Sequence, residues 1–164
     1  MQKKRFDIII KQIWEYQKRN DFTSIWENMP IAQCLYSEEI LKKLKESQDS
    51  KDSKLLEELL IICTLDGYDL SYTPIFCDLL KQNWHDRHED IVMGFEEMKD
   101  PNSIDCIYNA ALKIPAWDDG RSLAKKSIWA LKAIGTSKAI RKIELLADSQ
   151  DEIIKEVAKM NLNS

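Results

Sequence analysis

Between Thr73 and Asn161 the chain carries a helical apolar pattern that repeats in register with itself. A shift of 36 residues lays Val92 on Ile128, Phe95 on Leu131, Met98 on Ile134, Ile104 on Ile140, Ile107 on Ile143 and Ala111 on Ala147. Apolar residues recurring at i, i+3, i+4 and i+7 mark amphipathic helices, and a helix with one apolar stripe must bury it against a neighbour. Very short turns leave consecutive helices no choice but to lie antiparallel, and such pairs bury their remaining faces by stacking. The sequence therefore predicts an all-α fold built as an α-α superhelix of stacked antiparallel helix pairs.

Local punctuation places the helices. Thr73-Pro74 and Asp100-Pro101 read as a polar N-cap with proline at the first helical position. Asp86-x-x-Glu89 and Ser149-x-x-Glu152 read as capping boxes. Gly135-Thr136 reads as a helix stop followed at once by the next N-cap. Helices are expected over 74–83, 87–99, 101–113, 120–134, 137–147 and 150–161. Residues 1–70 read as an irregular helical part of the same single domain, 1–164, with repeats over 71–164. In that first part Phe6, Ile9, Ile13 and Trp14 share a helix side, and a short turn surrounds Phe22, Ile25 and Trp26 before Pro30. Ser37 is expected to cap a helix ending in the linker "SQDSKDS", and Gly67 to end the helix after that linker in a left-handed conformation.

The composition agrees with this reading, since Gly and Pro number four each and charged residues make up 32%. The four cysteines, Cys34, Cys63, Cys77 and Cys106, form no C-x-x-C pair and lie in apolar stretches, so they read as buried free thiols in a reducing compartment. No run approaches the ~20 apolar residues of a membrane span, and the basic N-terminus lacks the apolar core of a signal peptide. The expectation is a soluble, cytoplasmic monomer without membrane contact.

The formal charge of −4 is unevenly distributed. Residues 85–119 hold nine acids against three bases, and residues 120–143 hold seven bases and no acid. Each stretch is ordinarily a set of solvated helix faces, but an acidic edge also steers a basic partner toward it. The loop "PAWDDGR", residues 115–121, is the longest irregular stretch of the repeat region and projects Trp117, Asp118, Asp119 and Arg121. Of the two aspartates at most one can cap the following helix. Trp129 falls on an apolar helical face and is expected in the core, whereas Trp84 and Trp117 sit at loop junctions.

Both histidines lie in "WHDRHED", residues 84–90. His85 and His88 with Glu89 and Asp90 behind them have the donor types of a zinc or iron site. If Asp86 is the N-cap, His85 precedes the helix and His88 sits in its first turn, and the two rings need not converge. The chain has no third histidine, no G-x-S-x-G elbow, no P-loop and no dinucleotide fingerprint. The stretch reads as a helix start whose polar side chains, His85, Asp86, His88 and Glu89, face a partner; no catalytic, cofactor or metal residue is assigned.

The segment "SLAKKSIWALKAIGTSKAIRKIELLADSQDEIIKEVAKMNL", residues 122–162, resembles HEAT-like repeats through Ala130, Leu131, Ile134, Gly135 and Thr136. With the preceding residues from Trp84 it looks like bacterial HEAT-like immunity proteins of polymorphic toxin systems, including contact-dependent growth inhibition. The resemblance covers residues 84–161 and implies a HEAT-like superhelix that is not an enzyme. Its task would be to bind a cognate toxin domain, a nuclease for example, and block the active site. Two alternatives stand beside it. One is a nucleic-acid-binding array using the cationic helices from Arg121 to Lys142, against which the net charge speaks. The other is a HEAT-like lyase or hydroxylase, which would need an accessible cysteine or several His-Glu pairs where this chain has only His88-Glu89.

Overall fold

The computed structural model describes residues 2–19 and 34–164. The described residues are all-helical, without strands. None of their helices is long and apolar enough to cross a membrane. They form two compact units, Met1–Tyr72 and Thr73–Ser164. The expected turn around Phe22, Ile25, Trp26 and Pro30 lies outside the described residues.

In the first unit α1 (Gln2–Arg19) and α2 (Ser37–Ser50) pack with α3 (Ser53–Asp66) and a 3-10 turn, Leu70–Tyr72. Phe6, Ile13, Ile40, Leu44, Leu56, Leu59 and Cys63 are fully or nearly fully buried. Ile9 is half-buried, and Trp14 remains 41% exposed. The expected linker is largely helix: α2 runs to Ser50, and only Lys51 and Asp52 connect it to α3. Lys51 takes the left-handed conformation, and the Asp52 carboxylate caps α3 by accepting from Leu55 N–H at 3.0 Å. Ser37 does not cap α2. Buried Asp66, at the far end of α3, accepts from Leu35 and Tyr36 N–H, both at 3.0 Å, so the donors before α2 are satisfied by a residue some thirty positions away. Burial raises the Asp66 carboxyl above the usual carboxylate range, and the two N–H bonds partly offset this. Gly67 ends α3 with φ of 98°, and its N–H bonds to Cys63 O.

The second unit contains α4 (Thr73–Leu79), α5 (His88–Met98), a 3-10 turn (Pro101–Ser103), α6 (Ile104–Ala111), α7 (Ser122–Ile134), α8 (Ser137–Ala147) and α9 (Glu152–Leu162). Helix α5 packs most extensively on α7, α6 on α7 and less on α8, and α9 on both α8 and α7. Each helix thus meets its successor and, from α5 onward, the helix after that. The internal register is a burial register: of the twelve matched positions only Ile134 and Ile140 are half-buried, and the others lie in the core. Each fully buried Ile, Leu or Phe contributes about 1.5–3 kcal/mol of transfer free energy. Trp129 departs from expectation. It is 45% exposed because its flanking residues Ile128 and Ala130, both fully buried, occupy the stripe of α7 that faces inward.

Several caps also differ from the sequence reading. Gly135 is left-handed (φ 66°), and the Thr136 hydroxyl accepts from Ala139 N–H, as expected. Asp100 accepts from Asn102 N–H with Pro101 next in line, also as expected. Thr73, however, is buried and donates its hydroxyl to the Asp100 carboxylate at 2.6 Å. At α9 the cap is Asp151, which accepts from Ile153 and Ile154 N–H, while Ser149 Oγ accepts from Asp151 N–H. The cysteines are not all free thiols. Cys77 on α4 and Cys106 on α6 form a disulfide, and Cys34 and Cys63 are free. With two of the four cysteines bridged, cysteine usage no longer points to a reducing compartment.

Candidate functional site

The connection from α4 to α5 and the connection from α6 to α7 lie side by side at one edge of the second unit. Lys113 links them, its ammonium donating to Leu80 O at 2.7 Å. A groove of about 380 Å³ runs between them, lined by Asn83, His88, Lys113, Ile114, Pro115 and Leu123.

The histidines of "WHDRHED" do converge, contrary to the sequence reading. Their rings stack at 4.5 Å between centroids, and Trp84 packs edge-on to His85 at 4.7 Å. The purpose is legible in the hydrogen bonds. His85 Nε2 donates to Leu79 O at 3.0 Å, and His88 Nε2 donates to Gln82 O at 2.8 Å. With Lys113 on Leu80 O, three side chains bond three carbonyls at and just beyond the C-terminal end of α4, where Leu79 O also accepts from Gln82 N–H. His85 Nδ1 accepts from Arg87 N–H at 3.1 Å, so both ring nitrogens are occupied and the ring is neutral with its proton on Nε2. Burial, and secondarily the neighbouring His88, push its pKa down from 6.5 to about 4. Burial lowers His88 and Lys113 as well. Among the described residues no group of three or more His, Cys, Asp or Glu side chains is disposed to hold a metal ion.

The expected capping box at Asp86 does not form. Arg87 occupies the N-cap position of α5, with Glu89 and Asp90 in the first turn. Asp86 instead pairs with Arg87 Nε at 3.2 Å. Glu89, half-buried, pairs with Lys126 of α7 at 2.6 Å.

In "PAWDDGR" the two aspartates divide their roles. Asp118 is buried and caps α7 with both oxygens, accepting from Ser122 N–H at 2.8 Å and Leu123 N–H at 3.3 Å. Asp119 is exposed and has no ion-pair partner among the described residues. Arg121 takes the left-handed conformation with φ of 56°. Its guanidinium reaches Asp118 O at 2.7 Å and the Asp151 carboxylate at 2.6 Å, tying this loop to the start of α9. That contact holds the Asp151 carboxyl below the usual range. Trp117 projects at 67% exposure, with Leu112 and Ile114 also exposed nearby in sequence.

Of the eight residues singled out from sequence, His85 and Asp118 are buried structural groups, and Glu89 and Arg121 are tied to neighbouring helices. Asp86, Trp117 and Asp119 face outward, and His88 lines the groove. Comparison with protein families, curated proteins and solved structures found no match. The corner must therefore be read from its own chemistry.

That chemistry includes a role for the charge blocks which the sequence left open. Glu89 pairs with Lys126, Asp105 with both Lys138 (2.6 Å) and Lys142 (3.3 Å), and Arg121 with Asp151. The partners lie 30 to 37 positions apart, close to the 36-residue register, so Glu89 and Asp105 of one helix pair meet bases of the next, while Arg121 meets an acid of the next. Lys132 donates to Asn161 O, and the Lys142 ammonium also lies over the Tyr108 ring at 4.4 Å. Sequence reasoning missed Lys113, Leu112 and Ile114. A lysine followed by isoleucine at a helix end carries no local sign that it closes another helix or that its neighbour stays exposed.

Proposed function

We propose that this protein is a HEAT-like superhelix that acts as a binding module, an immunity protein that neutralises a cognate toxin domain by covering its active site, with no chemistry of its own. The observation that carries the reading is the run of exposed large apolar residues Leu112, Ile114 and Trp117 within six positions of chain, followed by exposed Asp119. An exposed tryptophan with exposed aliphatic residues a few positions before it has the composition of an interface anchor. One free carboxylate at the rim fits a partner with a basic active-site cleft, such as a nuclease. The packing of α5 on α7 and of α7 on α9 supports the superhelix. The protein is expected in the cytoplasm, where a toxin entering the cell would meet it.

The nucleic-acid alternative is weakened by the pairing of the basic block. Lys126, Lys138, Lys142 and Arg121 are engaged by acids, so a phosphate backbone would have to displace those partners. The test is to read the frame upstream of this one for a toxin-like C-terminal domain and to co-express the two proteins; an upstream frame without such a domain would count against the proposal. Wild type should protect the cell, and W117A combined with D119N should lose protection while keeping its melting midpoint. Absence of protection by wild type would overturn the proposal, and full protection by the double variant would move the interface elsewhere.

A further inference from the structure

A second candidate site lies wholly within the first unit, and its argument is independent of the toxin reading. Between α1, α2 and α3 lies a cavity of about 370 Å³, in the size range of small-molecule sites. Glu58 of α3 lines it and is 3% exposed. Its Oε1 has no hydrogen-bond partner among the described residues, and the Trp14 indole lines the same cavity. A buried carboxylate with an idle oxygen is costly, because lost hydration is not replaced. Such an orphan in a native fold calls for a partner.

The surroundings specify what kind. The Lys54 ammonium lies over the Trp14 ring at 4.1 Å from its centroid, so the indole face already holds a cation supplied by the chain itself. The other carboxylates of the cavity are unequally committed. Glu46 pairs with Lys43 at 2.8 Å, and Asp52 caps α3. Asp7 has no ion-pair partner among the described residues. The cavity thus combines an aromatic face, an orphan buried carboxylate and a carboxylate without an ion-pair partner among the described residues, with Lys43 committed to Glu46 and Lys54 standing over the indole.

We propose that this cavity binds an organic ammonium group, which takes the place of Lys54 over Trp14 and donates to Glu58 Oε1. The group is a primary amine on a short alkyl chain, either free or as a lysine side chain of a partner protein. Lys54 sits at the exposed start of α3 and can swing into solvent at little cost.

The test uses the full chain and follows the Trp14 indole N–H resonance, assigned by its loss in W14F, during titration with n-butylammonium. Butyrate serves as the anionic control of equal length, and a peptide acetylated only at its α-amino end, with one free lysine side chain, forms a parallel arm. The expected result is a saturable shift of Trp14 with butylammonium and none with butyrate. K54M, which removes the internal competitor, should tighten binding several-fold. E58Q, which keeps the side chain's shape, should weaken it at least tenfold. Tighter binding of the peptide than of butylammonium identifies a protein lysine as the source, and the reverse identifies a free amine. No saturable shift in either wild type or K54M, an equal response to butyrate, or unchanged affinity in E58Q would each overturn the proposal.

Discussion

Asparagine is about as good an N-cap as aspartate in an ordinary helix, so sequence reasoning alone expects D118N to be silent. The structure predicts otherwise. Asp118 is 5% exposed and uses one oxygen for Ser122 N–H and the other for Leu123 N–H. Asparagine keeps one acceptor and turns an NH₂ group toward the second N–H, leaving buried donors face to face. An unsatisfied buried donor costs about 1–3 kcal/mol, and loss of the charge at the start of α7 removes about 0.3–1 kcal/mol of dipole stabilisation. The sum is about 1.3–4 kcal/mol, which for a chain of this length lowers the melting midpoint by roughly 3–16 °C. D119N is the internal control. It alters an exposed group without a cap bond and should stay within about 0.5 kcal/mol of wild type. The assay is urea denaturation of wild type, D118N and D119N followed by circular dichroism. If D118N unfolds with wild type, or if D119N loses as much, the two-oxygen cap is wrong.

Three further outcomes are expected. His85 is held neutral in the fold at a pKa of about 4 against 6.5 for a free histidine, so the unfolded chain binds its proton first as pH falls. Stability should be intact above about pH 6.5 and decline toward pH 4 by up to about 3 kcal/mol, and H85L should flatten that slope in denaturation curves at pH 7.5, 5.5 and 4.5. L131A removes a fully buried side chain between α7 and its neighbours and should cost about 2–5 kcal/mol in the same assay; unfolding at the wild-type midpoint would contradict the core assignment. Alkylation of the denatured, unreduced protein should label Cys34 and Cys63 only, by mass spectrometry, and reduction of the Cys77–Cys106 bridge, which spans 29 positions, should lower stability by about 3–4 kcal/mol on the loop-entropy account.

The apolar period by itself determined the helices of the second unit, because which face of a helix is apolar is a property of neighbours three and four positions apart. Helix α8 begins and ends where the sequence placed it, and Gly135-Thr136 stops one helix and starts the next using only local backbone geometry. Tertiary structure decided the partners. Ser37 could have capped α2, but no side chain does, and Asp66 of α3 instead holds the two N–H groups before it. His85 and His88 have the donor types of a metal site, but packing sets them against the carbonyls ending α4. The acidic and basic blocks read as two surfaces until stacking brings Glu89 to Lys126 and Asp105 to Lys138. The physical reason is range: propensity and capping act within a turn of helix, whereas a carboxylate or imidazole bonds whatever the fold brings within about 3 Å of it.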